Sequence, residues 1–125
     1  MLDDRDRKFV EALQGLNLSK SAAALITYLA NVKEATSREI EIGTGLRQPE
    51  VSVGVRTLHE NNWVTEYEIR SERKGRPMKV YSLSTSLDEI LRHYEEEKSH
   101  ESIEAIQRLK VMAAMERDQA GLLLF

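Results

Sequence analysis

The stretch LRQPEVSVGVRTLHENN, Leu46 to Asn62, carries the reading of the whole chain. Its proline disfavours helical geometry at Gln48 and suits the first turn of a helix, so the spacing predicts a helix from Pro49 to about Asn61. At 100° per residue, Val51, Val55 and Leu58 fall on one side, while Pro49, Val53, Arg56 and Glu60 fall on the other, with Ser52 beside them. The first set belongs in a core; the second faces something else. Gly54, inside the same helix, costs roughly 1 kcal/mol relative to alanine, which points to the close approach of another helix.

Working outward, Thr36 to Glu39 reads T-x-x-E, a capping box, and opens a short helix with Ile40 and Gly43 on its buried side. Thr44 and Gly45 close it, so two short helices flank a tight turn at Gly45 to Gln48. Further upstream, Ser19 is a good N-cap, and Ala22, Leu25, Ile26 and Leu29 recur at helical spacing through Asn31. Asp3 to Gln14 reads as another helix, with acidic residues in its first turn, Phe9, Val10 and Leu13 on its inner face, and Gly15 at its end. Downstream of Asn62 the period changes to two. Trp63, Thr65, Tyr67 and Ile69 alternate with Val64, Glu66, Glu68 and Arg70, and Lys79, Tyr81 and Leu83 alternate again after a Lys-Gly-Arg-Pro turn. This is a β-hairpin with a basic tip, and Trp63 at its start reads as a core anchor. Ser86 and Glu89 then cap a helix with Leu87, Ile90, Leu91 and Tyr94 on its apolar side. Glu95 to Ser102 holds no apolar residue, and a helical stripe resumes with Ile103, Ile106, Leu109, Met112 and Ala113.

Composition narrows the function classes. A chain of 125 residues, 41% hydrophobic and 31% charged, is expected to be one globular domain with an appendage rather than a disordered polymer. The absence of cysteine closes off disulfides, thiolate metal sites and a cysteine nucleophile, and it fits a cytoplasmic location. The acidic start MLDDRD is unlike a signal peptide, and no apolar run approaches the roughly 20 residues that cross a bilayer. His59, His93 and His100 lack metal-ligand spacing, and no phosphate loop or catalytic triad can be assembled, so neither metal, cofactor nor enzyme activity is expected. The net charge of −3 conceals an uneven distribution: residues 86–125 carry nine acidic groups against five basic ones, whereas Arg70 to Lys79 carries five basic groups against Glu72 alone. An anionic partner would dock at that basic run.

Three helices, a helix after a tight turn, a basic hairpin and a further helix give a mainly α chain with a small antiparallel hairpin, the order of a winged helix-turn-helix over residues 1–85. A helical extension follows over residues 86–125. A major groove about 12 Å wide accepts one helix, and a basic hairpin beside it reaches phosphates or the minor groove. The expected partner is therefore double-stranded DNA. Helix 49–61 would be the recognition helix, offering Gln48, Glu50 and Ser52 as polar readers, Val53 for a thymine methyl, and Arg56 for phosphate or guanine. The hairpin segment 70–79 would be the wing, with Arg73, Lys74 and Arg76 as its cations around Gly75.

The stretch TSREIEIGTGLRQPEVSVGVRTLHENNWV resembles the helix-turn-helix of the multiple-antibiotic-resistance (MarR) type regulators, above all in the start Gln48-Pro49-x-Val51-Ser52. With the KGRP wing, the layout over residues 18–85 is similar to small archaeal regulators of the MarR, ArsR and TrmB-like group. The resemblance implies a sequence-specific DNA-binding transcriptional regulator that dimerises through terminal helices. By position it implies base reading or groove lining at Arg47 to Ser52, Val53 and Arg56, phosphate contact at Thr36, Ser37 and Arg38, and wing contacts at Arg73 to Arg76. Glu72 with Arg73 only loosely imitates the acidic and basic pair at the base of the MarR wing, and the ArsR-type metal ligands are absent. A helix from Ser86 toward Asp118 would span about 48 Å, longer than a small domain. Its stripe is therefore expected to form a homodimer seam, and the apolar end Leu122 to Phe125 strengthens that expectation. The alternatives are an intramolecular cover, or an interaction module that recruits a protein through its acidic terminal helix without binding DNA.

Overall fold

The structure, a computed structural model, describes residues 2–70, 77–96 and 106–112. Among these, α1 (Asp4–Gln14), α2 (Lys20–Asn31), β1 (Ala35–Thr36), α3 (Ser37–Thr44), α4 (Gln48–Glu60), β2 (Val64–Ile69), β3 (Met78–Leu83) and α5 (Leu87–Glu95) follow in order. Residues 106–112 are helical and are called α6. The chain is mainly helical, with one small antiparallel sheet.

Local chemistry sets the helix boundaries. Asp3 and Asp6 cap α1 reciprocally, Ser19 Oγ accepts from the Ala22 N–H at the start of α2, and Thr36 and Glu39 form the expected capping box on α3. Gly45 ends α3 in the left-handed region, at φ 78°, a conformation that costs glycine nothing. Ser86 caps α5 by accepting from the Glu89 N–H, as the sequence predicts, but the Glu89 carboxylate does not complete the box and accepts from the Thr85 hydroxyl instead. The chain turns after α1 at Asn17, which takes the positive φ of 69° where Gly15 stays right-handed. Two boundaries move by one residue: α1 begins at Asp4, with Asp3 as its cap, and α4 begins at Gln48, not Pro49, because the Arg47 carbonyl already accepts from the Val51 N–H with Arg47 itself extended.

A single core joins the helices. Val51, Val55 and Leu58 of α4 are buried as expected, together with Phe9, Val10 and Leu13 of α1 and nearly the whole circumference of α2. Gly54 is the point of closest approach between α2 and α4. A β-carbon there would stand 2.3 Å from Leu25 Cδ1 and 3.0 Å from the Ser21 carbonyl oxygen. Gly43 similarly admits the Tyr28 ring between α3 and α2. Trp63 is buried against Tyr94 and stands edge-on to His93, with centroids 5.7 Å apart.

The hairpin is part of a three-stranded sheet of order β1-β3-β2. Ala35 pairs with Tyr81 and Thr36 with Val80, so the two-residue strand β1 ties the start of α3 to the hairpin. Registers Val64 to Leu83, Glu66 to Tyr81 and Glu68 to Lys79 place these residues on the face that meets the helices. Thr65, Tyr67, Ile69, Met78, Val80 and Ser82 share the outer face.

The terminal segment departs from expectation. The helix that opens at Ser86 gives way at Glu96, at the start of the all-polar run, rather than continuing toward Asp118. Ile106 and Leu109, expected at a homodimer seam, are 2% and 0% exposed within the single chain and belong to its own core, with Met112 packed against it. The intramolecular cover is the arrangement observed for these residues, because their apolar side chains find partners in cis. Ile103 and Ala113 lie outside the described residues. No helix among the described residues is long and apolar enough to cross a membrane.

Candidate functional site

Two helix starts and one strand converge on a groove of about 550 Å³. Thr36, Ser37, Arg38 and Glu41 contribute from the start of α3, Gln48 and Ser52 from the first turns of α4, and Pro77, Met78, Lys79 and Tyr81 from β3. Five of the residues singled out from sequence, Thr36, Ser37, Arg38, Gln48 and Ser52, therefore meet at one place although they come from two helices. The pairing of β1 with β3 brings the hairpin to the same place. The N-terminal ends of α3 and α4 carry the positive ends of their helix dipoles, which favour an anion nearby.

Several polar groups at these helix starts are already committed to the fold. Thr36 Oγ1 accepts from the Glu39 N–H, and the Glu39 carboxylate accepts from the Thr36 N–H. Glu50 accepts from the Arg47 N–H at 3.1 Å, so its carboxylate serves as a cap at the start of α4. Arg47 itself, at the N-cap, makes no side-chain cap bond. Arg38, Arg47, Pro49, Ser52, Val53 and Arg56 are exposed, and Val53 is half uncovered at 50%. Arg38, Arg47 and Arg56 make no ion pair among the described residues, and the i,i+4 partner Glu60 leaves Arg56 unpaired. Three cations on or beside α3 and α4 thus remain uncompensated.

The base of the hairpin is electrostatically different. Glu66 accepts from His59 Nε2 at 2.5 Å and pairs with Lys79 Nζ at 3.4 Å, so one carboxylate joins the last turn of α4 to both strands. Burial pushes the Glu66 carboxyl upward, but the His59 hydrogen bond and the Lys79 charge outweigh it and hold it below the ordinary value. The same carboxylate raises the Lys79 ammonium. Tyr67 Oη donates to Glu34 Oε1 at 2.8 Å, which raises the phenol. Lys79 is consequently a neutralised groove wall rather than an open cation.

Arg73, Lys74, Gly75 and Arg76, the expected wing tip, lie outside the described residues. Met78 and Lys79 fall within the segment 70–79 expected as the wing, whereas Tyr81 is not singled out by the sequence, and the sequence does not show that these three residues share a groove with the starts of α3 and α4. Their position depends on β1, and two residues of strand leave no periodic signal. Among the described residues no cluster of histidine and carboxylate side chains could hold a metal ion. Comparison with known proteins finds no protein-family model that matches this chain and no curated protein similar to it in sequence.

Proposed function

We propose that the protein is a winged helix-turn-helix regulator of transcription that binds double-stranded DNA as a homodimer. The observation that carries this reading is the groove where the starts of α3 and α4 meet β3, lined by Arg38, with Arg47 at the N-cap of the helix that carries Gln48 and Ser52 and Arg56 within it; none of the three arginines makes an ion pair among the described residues. In this reading α3, the turn at Gly45 and α4 are the helix-turn-helix, and α4 enters the major groove by its N-terminal half. Gln48 and Ser52 read base edges, Val53 meets a thymine methyl, and Arg47, Arg56 and Arg38 reach phosphates. Glu50, engaged as a cap, mainly fixes the helix start. The wing cations Arg73, Lys74 and Arg76 add phosphate or minor-groove contacts. With Ile106 and Leu109 covered in cis, the homodimer is held by what α6 leaves outside, where Val111 is 58% exposed beside Gln107 and Arg108.

Substitution separates positioning from reading. Arg76→Ala should weaken binding to all duplexes and lower the salt dependence, whereas Ser52→Ala or Val53→Ala should change the preference among sequences in a selection from random DNA. Equal effects of all three on every duplex would contradict this division of roles.

A further inference from the structure

Six large apolar side chains are exposed among the described residues, and three of them, Tyr67, Ile69 and Met78, lie on one face of the hairpin. That face points away from the helical core. Tyr67 stands opposite Val80, and its hydroxyl bonds Glu34 beside β1 on the far side of β3, so the ring lies across the sheet. This accounts for Val80, which is only 4% exposed although it is outside the main core. Ile69 and Met78 have no such cover. They form the last rung among the described residues, directly opposite one another, at 48% and 54% exposure. The hairpin's carboxylates Glu66 and Glu68 occupy the other face, and the carboxylate that reaches the outer face is that of Glu34, which accepts from Tyr67 Oη.

We propose that the Ile69 and Met78 rung is an apolar wedge that enters a base step of duplex DNA from the minor groove and bends it. The proposal rests on the DNA-binding reading above and adds a deformation that this reading does not require. Two observations select DNA as the occupant. Pro77 and Met78 also line the groove shared by Gln48 and Ser52, so the wedge continues the surface assigned to the duplex. Arg70, exposed, also follows Ile69 directly. Cations at the phosphates hold a hairpin in a minor groove, and isoleucine, methionine and proline are side chains that unstack a step and kink the duplex toward the major groove. Flexible pyrimidine–purine steps would accept the wedge most readily.

The test is energy transfer between dyes at the two ends of random-sequence duplexes of about 30 base pairs, in the presence of the full chain. A bend of roughly 20–90° would raise the transfer on binding. Wild-type protein should raise it, more on duplexes enriched in TA steps. Ile69→Ser with Met78→Ser should bind with transfer close to that of unbound duplex, and Ile69→Leu with Met78→Leu should restore the bend. The serine variant retains the buried core, because neither residue belongs to it, and its melting curve checks this. Binding by wild type without a rise in transfer, or an equal rise with the serine variant, overturns the wedge and leaves the DNA-binding reading standing. Absence of binding to any duplex at low salt overturns both. Loss of self-association in the serine variant, with bending unchanged, would assign the rung to contact between copies and overturn the wedge.

Discussion

Gly54 shows how one missing side chain sets the placement of a helix. Alanine has the better helix propensity by roughly 1 kcal/mol, but its β-carbon would meet Leu25, which is fully buried, and the backbone oxygen of Ser21. Overpacking of this kind costs about 1–3 kcal/mol. Gly54→Ala should therefore lower the urea midpoint of unfolding; a raised midpoint would mean that α2 and α4 separate easily. The sequence alone revealed the need for a close neighbour at Gly54, because a glycine inside an amphipathic helix has a cost that something must offset. It could not reveal that the neighbour is Leu25. At Glu66 the prediction concerns pH. Its carboxyl is held below the ordinary glutamate value of 4.5 in the folded chain, so its contribution to stability is complete above that value and is lost as pH falls through the folded one. Glu66→Gln should be less stable than wild type near neutrality, and the difference in urea midpoint should shrink in acid. A difference independent of pH would assign the effect to packing instead of charge.

Among the elements, α4 is where stability and the proposed recognition meet, at its first residues. A helix beginning with an arginine at the N-cap and no side-chain cap bond is under-stabilised at that end. Serine at this position would accept a backbone N–H and contribute about 0.5–1 kcal/mol. Arg47→Ser should accordingly raise the melting temperature while weakening duplex binding, and unchanged binding would remove Arg47 from the interface. Helix caps were the most legible feature of the chain, since Thr36 with Glu39, Ser19 and Ser86 act on backbone groups within three residues of themselves. The core faces of α1, α2, α4 and α5 were legible for a similar reason, because periodicity is a local property. The hairpin was legible as a hairpin, but not the face it turns outward, and β1 was not legible at all. A strand of two residues is defined by its partner: Ala35 and Thr36 become strand only because Tyr81 and Val80 are beside them. One side of the groove depends on that pairing, which is why the sequence singled out the α3 and α4 residues and put Met78 and Lys79 in the wing, but did not show that they and Tyr81 share one groove with those helices.

At the scale of the molecule, the terminal stripe shows where pattern reading stops. Ile106 and Leu109 are spaced for burial, and burial is what they have, but periodicity does not distinguish a surface of the same chain from a surface of a second copy. Length favoured the second copy as long as one helix ran from Ser86 onward; the end of α5 at Glu95 lets the segment return to its own core. The charge pattern also becomes intelligible at this scale. A net negative protein can present a positive side, because the acidic excess belongs to residues 86–125 while Arg38, Arg47 and Arg56 stand unpaired among the described residues around α3 and α4. The most direct test of DNA binding is fluorescence anisotropy of labelled duplexes with wild-type protein and with Arg73, Lys74 and Arg76 all changed to alanine, at low and moderate salt. Wild type should bind with an affinity that falls steeply with salt, and the triple variant should bind more weakly with a log–log slope shallower by about 2–3, close to 0.9 per lost phosphate contact. A folded wild-type protein that binds no duplex at low salt would contradict the account.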